Sequence, residues 1–131
     1  MSRLAWLLPV AGAVVLVAAV ALGQEPSDEA QLAEFDEGAD AIDVSSYPEE
    51  MQRSYELFAA RCSKCHTLAR PINSHYALPE EWSRYVKRMM RKPGSGINPK
   101  DGRAIYEFLS DDSSVRKADL VEQKKLEQGD G

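Results

Sequence analysis

Apolar and polar positions divide this chain into one long uncharged run and three shorter periodic stretches. From Leu4 to Leu22 there are nineteen residues without a charge. Further on, Met51, Tyr55, Phe58 and Cys62 recur every three or four residues, which places them on one face of a helix. That face predicts a helix from about Pro48 to Cys62. Pro48 suits a first turn, and Glu49 and Glu50 complement the helix dipole. A second stripe of Trp82, Tyr85, Val86, Met89 and Met90 predicts a helix from about Pro79 to Arg91, ended by Pro93-Gly94-Ser95-Gly96. A third helix is predicted from Asn98 as N-cap to about Ser110, with Pro99 first and Ile105, Phe108 and Leu109 facing inward. Gly102 and Tyr106 lie on an adjacent face, where the missing side chain lets another helix approach closely. No strand pattern accompanies these stretches, so the expected class is all-α with three main helices.

Charge sharpens the boundaries. Residues 1–23 read as a signal peptide or an uncleaved membrane anchor. Arg3 and the amino terminus are the only positive charges near the apolar run, which orients insertion with the N-terminus in the cytoplasm. As a helix the run spans about 28 Å, close to the hydrocarbon core, and it exceeds an ordinary signal-peptide apolar region. The remainder is then exported, to the periplasm, free or anchored to the inner membrane, with membrane contact only through residues 4–22. Residues 24–47 carry eight acidic residues and no basic one and read as an acidic flexible linker. Residues 48–110 reverse the balance, with eleven Lys and Arg against seven Asp and Glu. Residues 111–131 are mixed in sign without a sustained apolar face and read as a charged C-terminal tail.

The chain has two cysteines and two histidines, and three of those four residues fall in Cys62-Ser63-Lys64-Cys65-His66. This spacing is that of a covalent attachment site for one haem c. Each thiol adds across one vinyl group, and the adjacent His66 supplies the proximal iron ligand. Other uses of the same residues fit less well. Zinc would need His75, nine residues beyond His66 and outside the usual finger spacing. A disulfide across so short a loop stabilises little. A thioredoxin-like pair needs a βαβ setting that the pattern does not offer.

With the helix Pro48–Cys62, the attachment motif, the stripe from Trp82 to Met90 and the closing helix Asn98–Ser110, about half of the chain resembles class I c-type cytochromes, in particular compact bacterial monohaem modules. The resemblance implies a one-electron carrier whose terminal helices cross beside the haem, with a methionine on the second axial position. Here the candidate methionines sit near a helix end, unlike the long-loop members.

Met89 lies near the centre of its stripe, almost two turns from Trp82, whereas Met90 is rotated about 100° onward. Met89 is therefore the expected distal iron ligand and Met90 the second choice. Met51 reads as core, and His75, in a polar loop, is the bis-histidine rival. Trp82 is expected against the haem, with plain core as its other role. Arg61 and Arg70 are candidates to neutralise propionates. The expected function is electron transfer rather than enzyme catalysis. The basic residues Arg84, Lys87, Arg88, Arg91 and Lys92 are expected to steer an acidic redox protein partner; nucleic acid is not an expected target. The competing functions are a gas sensor or haem catalyst with an open or bis-histidine sixth site, and a haem subunit of an exported dehydrogenase.

Overall fold

A computed structural model describes residues 28–129, and among them every regular element is a helix: α1 Asp28–Asp36, α2 Glu49–Cys62, α3 Ala69–Asn73, α4 Pro79–Met90, α5 Pro99–Arg116 and α6 Ala118–Glu127. The apolar run at residues 4–22 lies outside the described residues. No helix among them is long and apolar enough to cross a membrane.

The helix starts follow local chemistry. Asn98 caps α5 by accepting a bond from the Asp101 backbone N–H at 2.9 Å, with Pro99 in the first position. At the start of α4, Pro79 follows the extended Leu78, and one Glu81 carboxylate oxygen accepts from the backbone N–H groups of Ala77 and Leu78, each at 2.9 Å. This is the N3 half of a capping box, since Leu78 has no side-chain acceptor to return.

α5 packs against both α2 and α4. Their shared interior holds Phe58, Trp82, Ile105, Phe108 and Leu109, each at most 1 % exposed. Phe58 and Tyr55 of α2 stack on Phe108 with ring centroids 5.7 and 5.5 Å away. At the α4–α5 crossing, a Cβ added to Gly102 would lie 2.6 Å from Met90 Sδ. Glycine is therefore what lets Met90 lie flat on α5. A Gly102→Leu chain is expected to lose about 1–3 kcal/mol of stability through overpacking, read from urea melts.

Two segments are more ordered than their composition suggests. Within 24–47, the described residues from 28 on are not extended throughout. They form α1 and then a strap in which Ile42 is buried and donates its backbone N–H to the Tyr55 hydroxyl at 3.1 Å. Nor is 111–131 a loose tail. The closing helix runs six residues past Ser110, and α6 folds back after it. Polar groups hold this region, which is why no apolar stripe announced it. Asp112, fully buried, accepts from the Tyr47 hydroxyl at 2.9 Å and from the Arg116 guanidinium at 2.8 Å. Lys117 Nζ donates to the carbonyls of Ser74 and Tyr76 at 2.7 and 2.9 Å and lies over the Trp82 ring. Lys124 pairs with the second oxygen of Glu81.

Glu81 thus ties α4, α6 and the loop before α4 together. Burial alone would raise its carboxyl, but the Leu78 N–H, Lys124 and the Ala77 N–H outweigh that and hold it below its usual 4.5. A depressed carboxyl contributes stability that is complete above the unfolded value and is lost as pH falls through the folded one. Glu81→Gln is expected to lower stability by about 1–2 kcal/mol near neutral pH. The gap between the two melting curves should close as pH drops below 4.5.

Candidate functional site

The polypeptide turns sharply where α2 ends. Cys62 is the last residue of α2, buried on the same face as Phe58, and residues 63–65 form the turn that brings Cys65 and His66 back toward it. Cys62 is a buried free thiol and Cys65 an exposed one. Burial, followed by the proximity of Cys65, pushes the Cys62 thiol up to about 12. As a free residue it is a protonated thiol with an apolar surround, not a reactive thiolate.

Beside this turn is a cavity of about 370 Å³, within the usual range for a small-molecule or cofactor site. Four stretches build its walls. The end of α2 and the following turn give Arg61, Cys62, Cys65 and His66. α3 and the loop after it give Arg70, Ser74 and Tyr76. α4 gives Tyr85, Arg88 and Met89, and the turn that follows gives Lys92, Ser95 and Ile97. α1 closes one side with Leu32 and Phe35.

Cys62, Cys65, His66 and Met89 therefore line one cavity. His66 Nδ1 lies 2.9 Å from the Thr67 carbonyl oxygen. With the proton on Nδ1 that contact is a hydrogen bond, which orients the ring and leaves Nε2 as the free donor atom. The carbonyl is that of the next residue in the chain.

Other expected site residues lie elsewhere. Trp82 is 1 % exposed, is not a wall of the cavity, and donates its indole N–H to Ser113 Oγ at 2.9 Å. Its core role is the one the structure displays. Met90 turns to Gly102 instead of the cavity. Met51 packs against the core. His75 is exposed and meets Phe35 edge-on with ring centroids 5.0 Å apart, outside the cavity wall.

The electrostatics of the cavity are positive at its rim and unsatisfied within. Arg61 is paired with Asp101 at 2.9 Å, and Arg70 is gripped by both carboxylate oxygens of Asp36. The Arg70 bond holds the Asp36 carboxyl below its ordinary value. The Tyr85 hydroxyl is buried and has no hydrogen-bond partner among the described residues. Burial and then the nearby Cys62 push its phenol up, so it stays a neutral donor. A buried hydroxyl left without a partner costs about 1–3 kcal/mol, which an occupant carrying an acceptor would relieve. Tyr85 and Phe35 were visible in the sequence only as an apolar position and an isolated aromatic in an acidic stretch.

Two thiols, one imidazole nitrogen, one thioether and a cationic rim surround a partly apolar space. This donor set suits an apolar ring carrying a soft-to-intermediate transition metal and anionic substituents. Among the described residues no three His, Cys, Asp or Glu side chains converge as a bare metal ion's site would require. No family model, curated protein or solved structure matches the chain.

Proposed function

We propose that this chain is a monohaem c-type cytochrome of the compact class I type, acting as a one-electron carrier in an exported, periplasmic electron-transfer chain. The single observation that carries this reading is the gathering of Cys62, Cys65, His66 and Met89 on one cavity. Cys62 and Cys65 would hold the haem through two thioethers, each S–H adding across one vinyl double bond without an oxidant. His66 would bind the iron through Nε2, its ring kept in position by the Thr67 carbonyl. Met89 would supply its sulfur as the second protein ligand. Arg61, Arg70 and Lys92 line the same cavity and would be the groups available to haem carboxylates, Arg61 and Arg70 while also paired with Asp101 and Asp36. The haem supplies ferrous–ferric cycling, and the protein sets the potential through ligand identity, burial and hydrogen bonds.

With both axial positions taken by side chains, no substrate needs to reach the iron. The exposed basic residues of α4 and the turn after it, Arg84, Lys87, Arg88, Arg91 and Lys92, steer docking with an acidic redox protein. The apolar run at 4–22 supports export, with or without a retained anchor. The test is an optical spectrum of the reduced protein with and without carbon monoxide. A six-coordinate low-spin spectrum indifferent to carbon monoxide is expected. A carbon monoxide adduct formed readily at neutral pH would favour an open site, and with it sensing or haem catalysis. Co-purification of a large exported dehydrogenase would make the chain that enzyme's haem subunit.

A further inference from the structure

α1 has no buried residue, and its first turn is acidic. Its acidic first turn and its Ala, Glu, Gln and Leu residues favour a helix, but nine residues with no buried side chain are too few to stay helical alone in water. The helix it packs against is α3, and a set of polar contacts fixes it there. Asp36 binds Arg70 through both carboxylate oxygens. Asn73 Nδ2 donates to the carbonyls of Phe35 and Ala39 at 2.9 and 3.0 Å. Gly38 is what admits that amide, since a Cβ there would lie 2.3 Å from Asn73 Cγ. The payload of this arrangement is apolar: Leu32, 39 % exposed, and Phe35 form one wall of the cavity that holds Cys62 and Met89.

We propose that α1 is a tethered cover over the cavity mouth, latched by Asp36 and Asn73, which limits the access of small solutes to whatever the cavity holds. A helix with so thin an apolar contact opens at a lower free energy than the α2–α4–α5 core, so the cover moves while the core stays folded. Arg70 belongs to both latch and cavity rim. Opening therefore also frees a guanidinium at the mouth. The cover rests on the cavity geometry alone; the proposed function enters only through the identity of the occupant.

The test compares the full chain with Asp36→Asn and Asn73→Ala, neither of which removes a cavity wall. Hydrogen exchange over residues 28–38 reads the latch. A neutral probe reads access: bleaching by hydrogen peroxide if the purified chain carries pigment, or, if its thiols are free, alkylation of Cys62 by iodoacetamide at one fixed alkaline pH, where some thiolate forms. Which probe applies tests the proposed function separately from the cover. Expected in both variants is faster exchange at 28–38 together with a several-fold faster probe reaction, at an unchanged melting temperature of the core. Should Asn73→Ala fail to fold, Asp36→Asn decides alone, because its pair with Arg70 is partly exposed. Faster exchange with an unchanged probe rate would overturn the cover. Unprotected exchange of 28–38 in the parent chain, or exchange unaltered by both substitutions, would do so as well.

Discussion

A Cys62→Ala, Cys65→Ala chain is expected to accumulate without pigment and to lose cooperative folding. If the proposed haem is bound, the Cys62 and Cys65 sulfurs would be its only covalent hold, and a histidine and a thioether alone would retain it weakly. The structural consequence follows from the cavity. Without an occupant, a cavity of about 370 Å³ fills with water and its apolar lining stays exposed. A module as small as residues 48–110 rarely holds its core without a staple such as a bound occupant. The apolar walls affected include Cys62, Tyr85 and Met89, which belong to or pack against the central core. Near-ultraviolet circular dichroism should therefore collapse, and the thermal transition should broaden. Helix signal should fall less, since α5 and α6 are also held by Asp112, Lys117 and Lys124. A pigment-free variant with a sharp melt at the parent temperature would show that the cavity needs no occupant.

Met89→Ala is expected to have the second largest effect. Among the described residues it removes the methionine sulfur of the cavity wall, since Met90 is committed to Gly102 and Met51 to the core. The low-spin spectrum should give way to a high-spin or solvent-ligated one, and carbon monoxide should now bind. The potential should fall by on the order of 100 mV, within the span of about 0.8 V that axial ligands set. Met90→Ala should keep the spectrum and potential while losing about 1–2 kcal/mol of stability from the α4–α5 contact. His75→Ala should change neither. An unaltered spectrum in Met89→Ala with a lost one in His75→Ala would reassign the ligand to the imidazole. This pair of results separates a ligand from a packing residue, because packing alone moves melting temperature without moving potential.

The helices that carry the site were legible because apolar spacing and capping agreed. Met51 to Cys62, Trp82 to Met90 and Asn98 to Leu109 each show a stripe with a start signal, and each forms the helix expected. The preference for Met89 rested on a rotation of about 100° between neighbouring helical residues. In the structure that rotation puts Met89 on the cavity wall and Met90 on Gly102. Trp82 was open to two readings for a physical reason: an indole suits a cofactor wall and a core equally, and its partner Ser113 is a distant residue brought near by α5. The segments read as linker and tail failed for a shared cause. α1, the Asp112 cluster and α6 are fastened by Arg70–Asp36, Asn73, Tyr47–Asp112 and Lys124–Glu81. Such pairs join residues about thirty to sixty-five positions apart. No periodicity in a local window announces them.

The most direct measurement is the intact mass of the purified chain after extraction with acidified acetone. The account predicts that the pigment stays with the polypeptide and that the chain is heavier by one haem, with the added mass confined to the peptide containing Cys62 and Cys65. A colourless polypeptide of unmodified mass, with both thiols open to alkylation after denaturation, would contradict it.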